Sequence, residues 1–578
     1  MRILMVIAFN YPHIGGLSTY VDLLRQGLEE KGHEVEVLSL DPTWNRYQLY
    51  KAHKSVPRVW FDRRAKRQFE RAYPGMFNRL PDAIKNIEIR RRSLRLAIEH
   101  LGVEGYDVVH AQDIMSNLAV ATTRMGRHTP LLVTVHGSMT GEHFLNRTTL
   151  PGARTQNYFY ALEHFGSMAG DVIVAPSEWM RTNLTECFDV ESDRIQTIAH
   201  GADLAQLDHG TSSRTGIQLA TTKKVILNVQ RLDPSKGHTY LLEALKDLKS
   251  RGIGGWQMYI AGGGIQGQLQ ARARQMGLQH EVHFLGPQEE TNALLQQADI
   301  VVLPSLVENY PYSVIEAQLA GKPVVGFATS GVAEMIVDGE TGLLAPTGDS
   351  TQLANHLERL LTDEALRTAM SAKARERAVE IWDYHRMVDD TVSAYKLAQA
   401  INRTERLSVP RNLMHAIHLS RVEVGRKLQR IRSTYDLHLH PVYRQPVQKG
   451  RTSVHRLPQR RTRPASSQGA KVISLAMARG TVRSTVQKPS QRAVGAKARR
   501  IVPRQASQPR QPRVVTRRLT VPGGHARFVQ VKHRRRIHPF KRSVRRRWRP
   551  MRTGGRVKRV QRPWLPSSAA TRHRSSQP

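Results

Sequence analysis

At 578 residues the chain is longer than the roughly 250 to 300 at which a single core stops growing, so at least two folded domains are expected. The net charge of +40 is unevenly placed: 46 of the 88 Lys and Arg, but only 3 of the 48 acids, follow residue 400, which leaves the first 400 residues near neutral. A single cysteine, Cys187, excludes an internal disulfide, and no run approaches the roughly 20 apolar residues of a membrane span, so we expect a cytoplasmic protein whose membrane contact, if any, is peripheral and at the inner face.

The first apolar run, Ile3 to Phe9, reads as a buried strand rather than a signal peptide, because Asn10 and His13 interrupt it and no small-residue cleavage site follows. Leu17, Val21, Leu24 and Leu28 then share a helical face, and Val35 to Leu40 forms a second strand after Gly32. Further strands are expected at 107–110, 131–136, 171–175 and 195–199. Continuous apolar strands imply a parallel sheet covered on both faces, hence a doubly wound α/β domain.

After a polar stretch near 208–222 the pattern restarts, with strands at 225–229, 258–261, 282–285, 300–303 and 324–327 and helices at 238–250 and 265–276. Residues 351–400 read as two or three closing helices. The expected organisation is therefore two Rossmann-like doubly wound domains, 1–205 and 206–380, a terminal helix over 381–403, and a basic, largely disordered tail over 404–578. The tail is rich in Arg, Pro, Gln, Ser and Thr and has no acid after Asp436.

Sheets of this type bind phosphates at the carboxyl ends of their strands, where helix N-termini converge. After the first strand, Gly15-Gly16 opens a helix and lets backbone amides approach an anion, although an ordinary turn explains the pair equally well. Arg231 and Lys236 lie in one strand-to-helix loop, a pair suited to a diphosphate leaving group or to a solvated charge pair. Gly264 ends a three-glycine turn that fits either close approach to a ligand or tight packing. The most specific segment is Pro304 to Ala317, in which Glu308 precedes a helix and Glu316 sits in its early turns. The amides from Tyr310 through Tyr312 and Ser313 to Val314 make an N-terminus for a pyrophosphate, and Pro311 suits that first turn. His110 and His136 each end a strand, where a histidine can donate to a sugar hydroxyl or phosphate or be merely structural.

Glu308 and Glu316 with seven residues between them, Arg231 and Lys236, and Ser330-Gly331 to Glu334 leading into Gly342-Leu343-Leu344 together resemble the retaining family 4 glycosyltransferases of the GT-B fold, over about residues 1–400. The resemblance implies that Glu316 binds the donor ribose, Glu308 contacts the transferred sugar, Arg231 and Lys236 hold the diphosphate, and Gly16 approaches the same phosphates from the first domain. It places His136 beside the donor sugar as transition-state support, and makes the helix to Ala400 one that crosses back to the first domain. It also implies retention of configuration with no obligatory metal and no cofactor. The chain has no Asp-x-Asp motif; it departs from the family in carrying Tyr310-Pro311 for Phe-Gly and Val332 for a second glycine, which bears on loop shape and donor preference.

The expected activity is transfer of a hexosyl unit from a UDP- or GDP-sugar to a lipid-linked or polysaccharide acceptor. The alternatives are a nucleotide-sugar epimerase, a phosphorylase, or a non-catalytic binding protein acting through the tail. Aromatic residues among cations at 59–69, with further cations at 85–95, suit either an anionic membrane surface or acceptor, or a solvated face with core anchors. Blocks such as Lys532 to Arg536 and Lys541 to Arg549 attract polyanions, but no nucleic-acid-binding signature accompanies them, so sequence-specific nucleic-acid recognition is not expected.

Overall fold

The computed structural model describes residues 1–75, 77–145, 153–204, 217–219, 222–401 and 413, all within the unit Met1–Leu457. The expected basic, disordered tail lies outside the described residues, apart from Leu413.

The first sheet contains β1 (Arg2–Asn10), β2 (Glu34–Leu40), β3 (Arg46–Leu49), β4 (Lys54–Pro57), β5 (Val108–Ala111), β6 (Leu131–Thr134), β7 (Val172–Ala175) and β8 (Ile195–Thr197). Its order is β4-β3-β2-β1-β5-β6-β7-β8. Strands β2, β1 and β5 to β8 pair in parallel, as continuous apolar runs require, and Ile3 to Ile7 are fully buried. Helix α1 (Gly16–Glu30) buries Val21, Leu24 and Leu28 against this sheet, the face that their spacing marks.

One departure is an antiparallel hairpin of β3 and β4 on the edge of the sheet. Its four-residue strands RYQL and KSVP carry too few apolar residues to signal a strand. Gln48 Nε2 donates to the Tyr11 carbonyl at 2.7 Å and ties the hairpin to the end of β1. The polar segments that follow are helices: α2 (Arg58–Ala72) and α3 (Asp82–Leu101). Phe61, Ala65 and Phe69 of α2 are buried in the core, so those aromatics are anchors, whereas Trp60 is 60% exposed.

The second sheet contains β9 (Lys224–Val229), β10 (Trp256–Ala261), β11 (Val282–Gly286), β12 (Ile300–Leu303), β13 (Val324–Phe327) and β14 (Gly342–Ala345), in the order β11-β10-β9-β12-β13-β14, all pairs parallel. This is the doubly wound α/β plan again, so the architecture is two Rossmann-like domains facing across a cleft.

Three helices close the described chain: Ser350–Thr362, Glu364–Ile381 and Tyr384–Ala400. The last lies against α1 of the first domain. A Cβ at Gly27 would stand 2.5 Å from Val388 Cγ2, so a glycine there lets the two helices approach. Tyr384 Oη donates to Glu30, and Lys31 pairs with Asp389 at 2.8 Å. Fully buried Trp382 and Tyr395 share one apolar cluster with Leu24 of the first domain and Val314 of the second.

Candidate active site

The carboxyl ends of both sheets supply the cleft. On the second-domain side, Asp233 caps a short turn over Pro234–Lys236, and Gly237 follows in the left-handed region with φ 65°. A Cβ at Gly237 would meet the Pro304 carbonyl at 1.9 Å, so a glycine brings the loop after β9 against the loop after β12. The result is an ion pair: Lys236 Nζ donates to Glu308 Oε2 at 2.7 Å, with the lysine side chain 8% exposed. Arg231, by contrast, leaves 72% of its side chain open, with Asp233 at 3.7 Å, and is available to a ligand.

Gly264 has a packing role. A Cβ there would lie 2.2 Å from the Leu232 carbonyl oxygen, and Leu232 bridges to Gly264 in parallel. The three-glycine turn thus braces the Arg231 loop through its backbone.

The helix Tyr312–Leu319 starts after Pro311 with no side-chain cap, which leaves its first amides for a ligand. Glu316 projects from its second turn, with Thr291 Oγ1 at 3.4 Å. Burial raises its carboxyl from 4.5 to about 7, against the lowering effect of Thr291. On the first-domain side α1 likewise begins without a side-chain cap, at Gly15 with φ 146°. Gly16 faces the opposite domain closely, since a Cβ would stand 3.2 Å from Tyr312 Cδ2.

His136 follows β6. Its Nδ1 lies 3.3 Å from His200 Nε2 and its Nε2 lies 3.3 Å from Gln112 Oε1. Burial, then the His200 and His110 charges, push it well below the ordinary histidine value, so the ring is neutral near pH 7. His110 is an interior residue rather than a cleft residue. It is fully buried between Tyr395 Oη at 2.8 Å and Thr134 Oγ1 at 2.7 Å, and burial lowers it to about 3.

Several contacts at the cleft are not legible in a linear reading. Asn309, between the two glutamates, donates from Nδ2 to the His136 carbonyl at 3.0 Å, and its Oδ1 accepts from Ser177 Oγ at 2.5 Å. Glu334 accepts from the amides of Glu178 at 2.9 Å and Trp179 at 2.5 Å, capping a first-domain helix from the second domain. His200 stacks on Tyr312 at 5.4 Å and approaches the Tyr310 carbonyl at 3.1 Å, while Trp382 Nε1 donates to Tyr310 Oη at 2.9 Å. Glu142 faces the Lys236 loop from the helix Met139–Leu145. Desolvation by the surrounding protein, with Glu308 adding to it, raises its carboxyl although the residue still meets solvent, while Lys236 and Arg231 pull it back. Among the described residues no cluster of three or more His, Cys, Asp or Glu could hold a metal, and no helix is long and apolar enough to cross a membrane.

Residues 14–206 match the family described as Glycosyltransferase Family 4, and residues 211–377 match Glycosyl transferases group 1. The chain is 30% identical over 288 residues to a D-inositol 3-phosphate glycosyltransferase of Corynebacterium aurimucosum, covering 47% of this chain and 68% of that one. It is 29% identical over 422 residues to a glycogen synthase of Mycobacterium tuberculosis, covering 71% and 97%. Among solved structures, sucrose-phosphate synthase from Thermosynechococcus elongatus shares the fold with a TM-score of 0.53 at 20% identity, covering 68% of this chain and 98% of that one. HepE of Anabaena in complex with UDP-glucose does so at 0.50 and 18%, covering 68% and 99%. With two Rossmann-like domains, a cleft lined from both strand ends and these relatives, the chain belongs to the glycosyltransferases of the GT-B fold and is a transferase that uses a nucleotide sugar.

Proposed function

We propose that the chain transfers a hexosyl unit from a UDP- or GDP-sugar to a lipid-linked or polysaccharide acceptor, with retention of configuration. The observation that carries this reading is the meeting of Lys236 and Glu308 at 2.7 Å beside exposed Arg231, opposite the uncapped N-terminus of α1. Lys236, Arg231 and the amides following Gly15, Gly16 and Pro311 (Tyr312 and Ser313 among them) hold the diphosphate, and Tyr310 braces that loop against Trp382 and His200. Glu316 accepts from the ribose hydroxyls and Glu308 from a sugar hydroxyl. Gly264 supports the Arg231 loop from behind.

In the transfer step the bond between the sugar C1 and the diphosphate oxygen breaks, and the acceptor hydroxyl oxygen bonds C1 on the same face. The acceptor proton leaves with the diphosphate. Neutral His136, beside Gln112, supports the positive charge that develops on the sugar ring without repelling it. The ion pair commits Glu308 to Lys236, which favours this route over one in which Glu308 attacks C1. The names of the relatives, a glycogen synthase and an inositol-phosphate glycosyltransferase, agree with a carbohydrate or polyol acceptor.

On α2, Trp60 and Val59 are exposed beside exposed Arg63, Arg64 and Arg67, a surface suited to peripheral contact with an anionic membrane. The deciding experiment screens UDP- and GDP-sugars for saturable binding and slow hydrolysis by the full chain, with Glu308→Ala and Lys236→Ala as controls. One donor bound and hydrolysed, with both lost in the controls, supports the reading, and the anomeric configuration of the product decides retention. No binding to any donor would overturn it.

A further inference from the structure

The carboxyl edge of the first sheet carries a second feature, apart from the donor site. Arg90 of α3 places its guanidinium 5.5 Å from the centroid of the Phe9 ring and 5.1 Å from that of Trp44. Among the described residues it makes no hydrogen bond and no ion pair at contact distance; the two rings flank it, and the Asp113 and Asp62 carboxylates act on it only from farther off. A partly buried cation with no carboxylate in direct contact is unusual, because desolvation is normally offset by a contacting partner. Burial, then Arg58, pull Arg90 below the ordinary arginine value, and the more distant Asp113 and Asp62 offset this only in part.

The surroundings concentrate the same sign. Arg58, Arg63, Lys66 and Arg90 line a groove of about 480 Å³ with Asn86 and Ile89, and Asp62 is its single carboxylate, already engaged by Arg58 at 3.0 Å. An adjoining depression of about 590 Å³ shares Arg58 and Asp62 and is walled by Trp44. Trp44 is 36% exposed and held in the left-handed region at φ 64°, a conformation that a bulky residue adopts only when its surroundings impose it. The Asp41 carboxylate imposes it by accepting from the amides of Asn45 and Arg46, and the Trp44 carbonyl accepts from Arg58 Nη1 at 3.2 Å. Phe9 lies at the end of β1, one residue before Asn10, and Trp44 follows β2, so both stand on the edge that also carries Gly15 and Gly16.

We infer that the Arg90 groove is the subsite for the acceptor, and that this acceptor is a carbohydrate bearing an oxyanion, phosphate or carboxylate, which the guanidinium binds while the exposed Trp44 ring packs on a sugar face. The inference rests on the transferase reading for the word acceptor, but its chemistry stands on the groove alone. A planar guanidinium presents paired donors to either oxyanion, and its flanking rings hold it in place for them.

The test is calorimetric titration of the full chain with glucose 6-phosphate, glucuronate and glucose, for the wild type, Arg90→Gln, Arg90→Lys and Trp44→Ala, with UDP- and GDP-sugars titrated separately. At least one anion should bind roughly tenfold or more tighter than glucose, the two anions distinguishing phosphate from carboxylate. Arg90→Gln should lose roughly tenfold to a hundredfold of that affinity, with Arg90→Lys recovering part and nucleotide-sugar binding unchanged. Trp44→Ala, a loop substitution, should weaken the anion as well, and it keeps the test decisive if Arg90→Gln does not fold. The inference is overturned if neither anion binds tighter than glucose, or if folded Arg90→Gln and Trp44→Ala bind the anion as the wild type does, which would assign the binding to cations elsewhere, such as the tail. A chain that binds the anion in this way but no nucleotide sugar refutes the transferase reading and leaves the groove assigned.

Discussion

Replacing Glu316 by Gln should stabilise the free protein while abolishing donor binding, and both effects should depend on pH. Burial raises the Glu316 carboxyl from 4.5 to about 7, so in the folded state the ionised form is disfavoured relative to the unfolded chain. The resulting penalty is absent below about pH 4.5, grows as pH rises, and saturates above about 7. At about 1.4 kcal/mol per unit, it reaches about 3 kcal/mol above pH 7, an upper limit because part of the side chain still meets solvent. Gln keeps the shape and the Thr291 contact but cannot ionise, so it escapes this penalty. Urea unfolding of wild type and Glu316→Gln across pH 4.5 to 8.5 measures the difference. It should be near zero at the acid end and favour the variant by about 1–3 kcal/mol at the alkaline end. In the proposed binding mode ribose hydroxyls donate to the carboxylate, so wild-type donor affinity should fall as pH drops below about 7, and the variant should lack this dependence. A difference in stability that is flat with pH, or a variant that is less stable at pH 8, would refute the reasoning that burial sets this carboxyl's behaviour.

Lys236→Ala leaves the Glu308 carboxylate part-buried without its partner, and should cost about 1–3 kcal/mol in urea unfolding as well as donor binding. Glu308→Gln, which keeps a hydrogen-bond acceptor for Lys236, should cost less. Glu334→Ala removes the cap that the second domain places on the amides of Glu178 and Trp179, both near the surface, and should cost about 1 kcal/mol. It should also enlarge the radius of gyration in solution scattering, because the contact spans the cleft. Glu142→Gln tests the fate of the acceptor proton: if the proton leaves with the diphosphate, turnover should fall by less than roughly tenfold, whereas a loss beyond roughly a hundredfold would make Glu142 the base.

The periodic parts of this protein are legible in its sequence. Buried parallel strands must be apolar along their whole length, and a helix on such a sheet must repeat its apolar face every 3.6 residues, so β1, α1, β9 and the helix His238–Ser250 stand out locally. Glu308, Glu316, Arg231 and Lys236 are also visible, because each lies in a strand-to-helix loop or in the early turns of the helix that follows, and phosphate chemistry sits at that position in a doubly wound domain. The hairpin of β3 and β4 leaves little trace, since its edge strands bury few side chains.

Tertiary structure alone decided which residues meet. His110 and His136 both end strands, yet the terminal helix brings Tyr395 over one and the cleft brings His200 to the other. Asn309 reads as a loop filler between two glutamates until the domains face each other and it reaches the His136 carbonyl, 173 residues away. Glu142 is an ordinary helix charge by pattern, and Glu334 and Arg90 stand in segments that the sequence marks without showing what they touch. Their surroundings come from segments far apart in the chain, and burial, hydrogen bonding and the sum of neighbouring charges, which set what each group can do, are properties of those surroundings rather than of any local stretch.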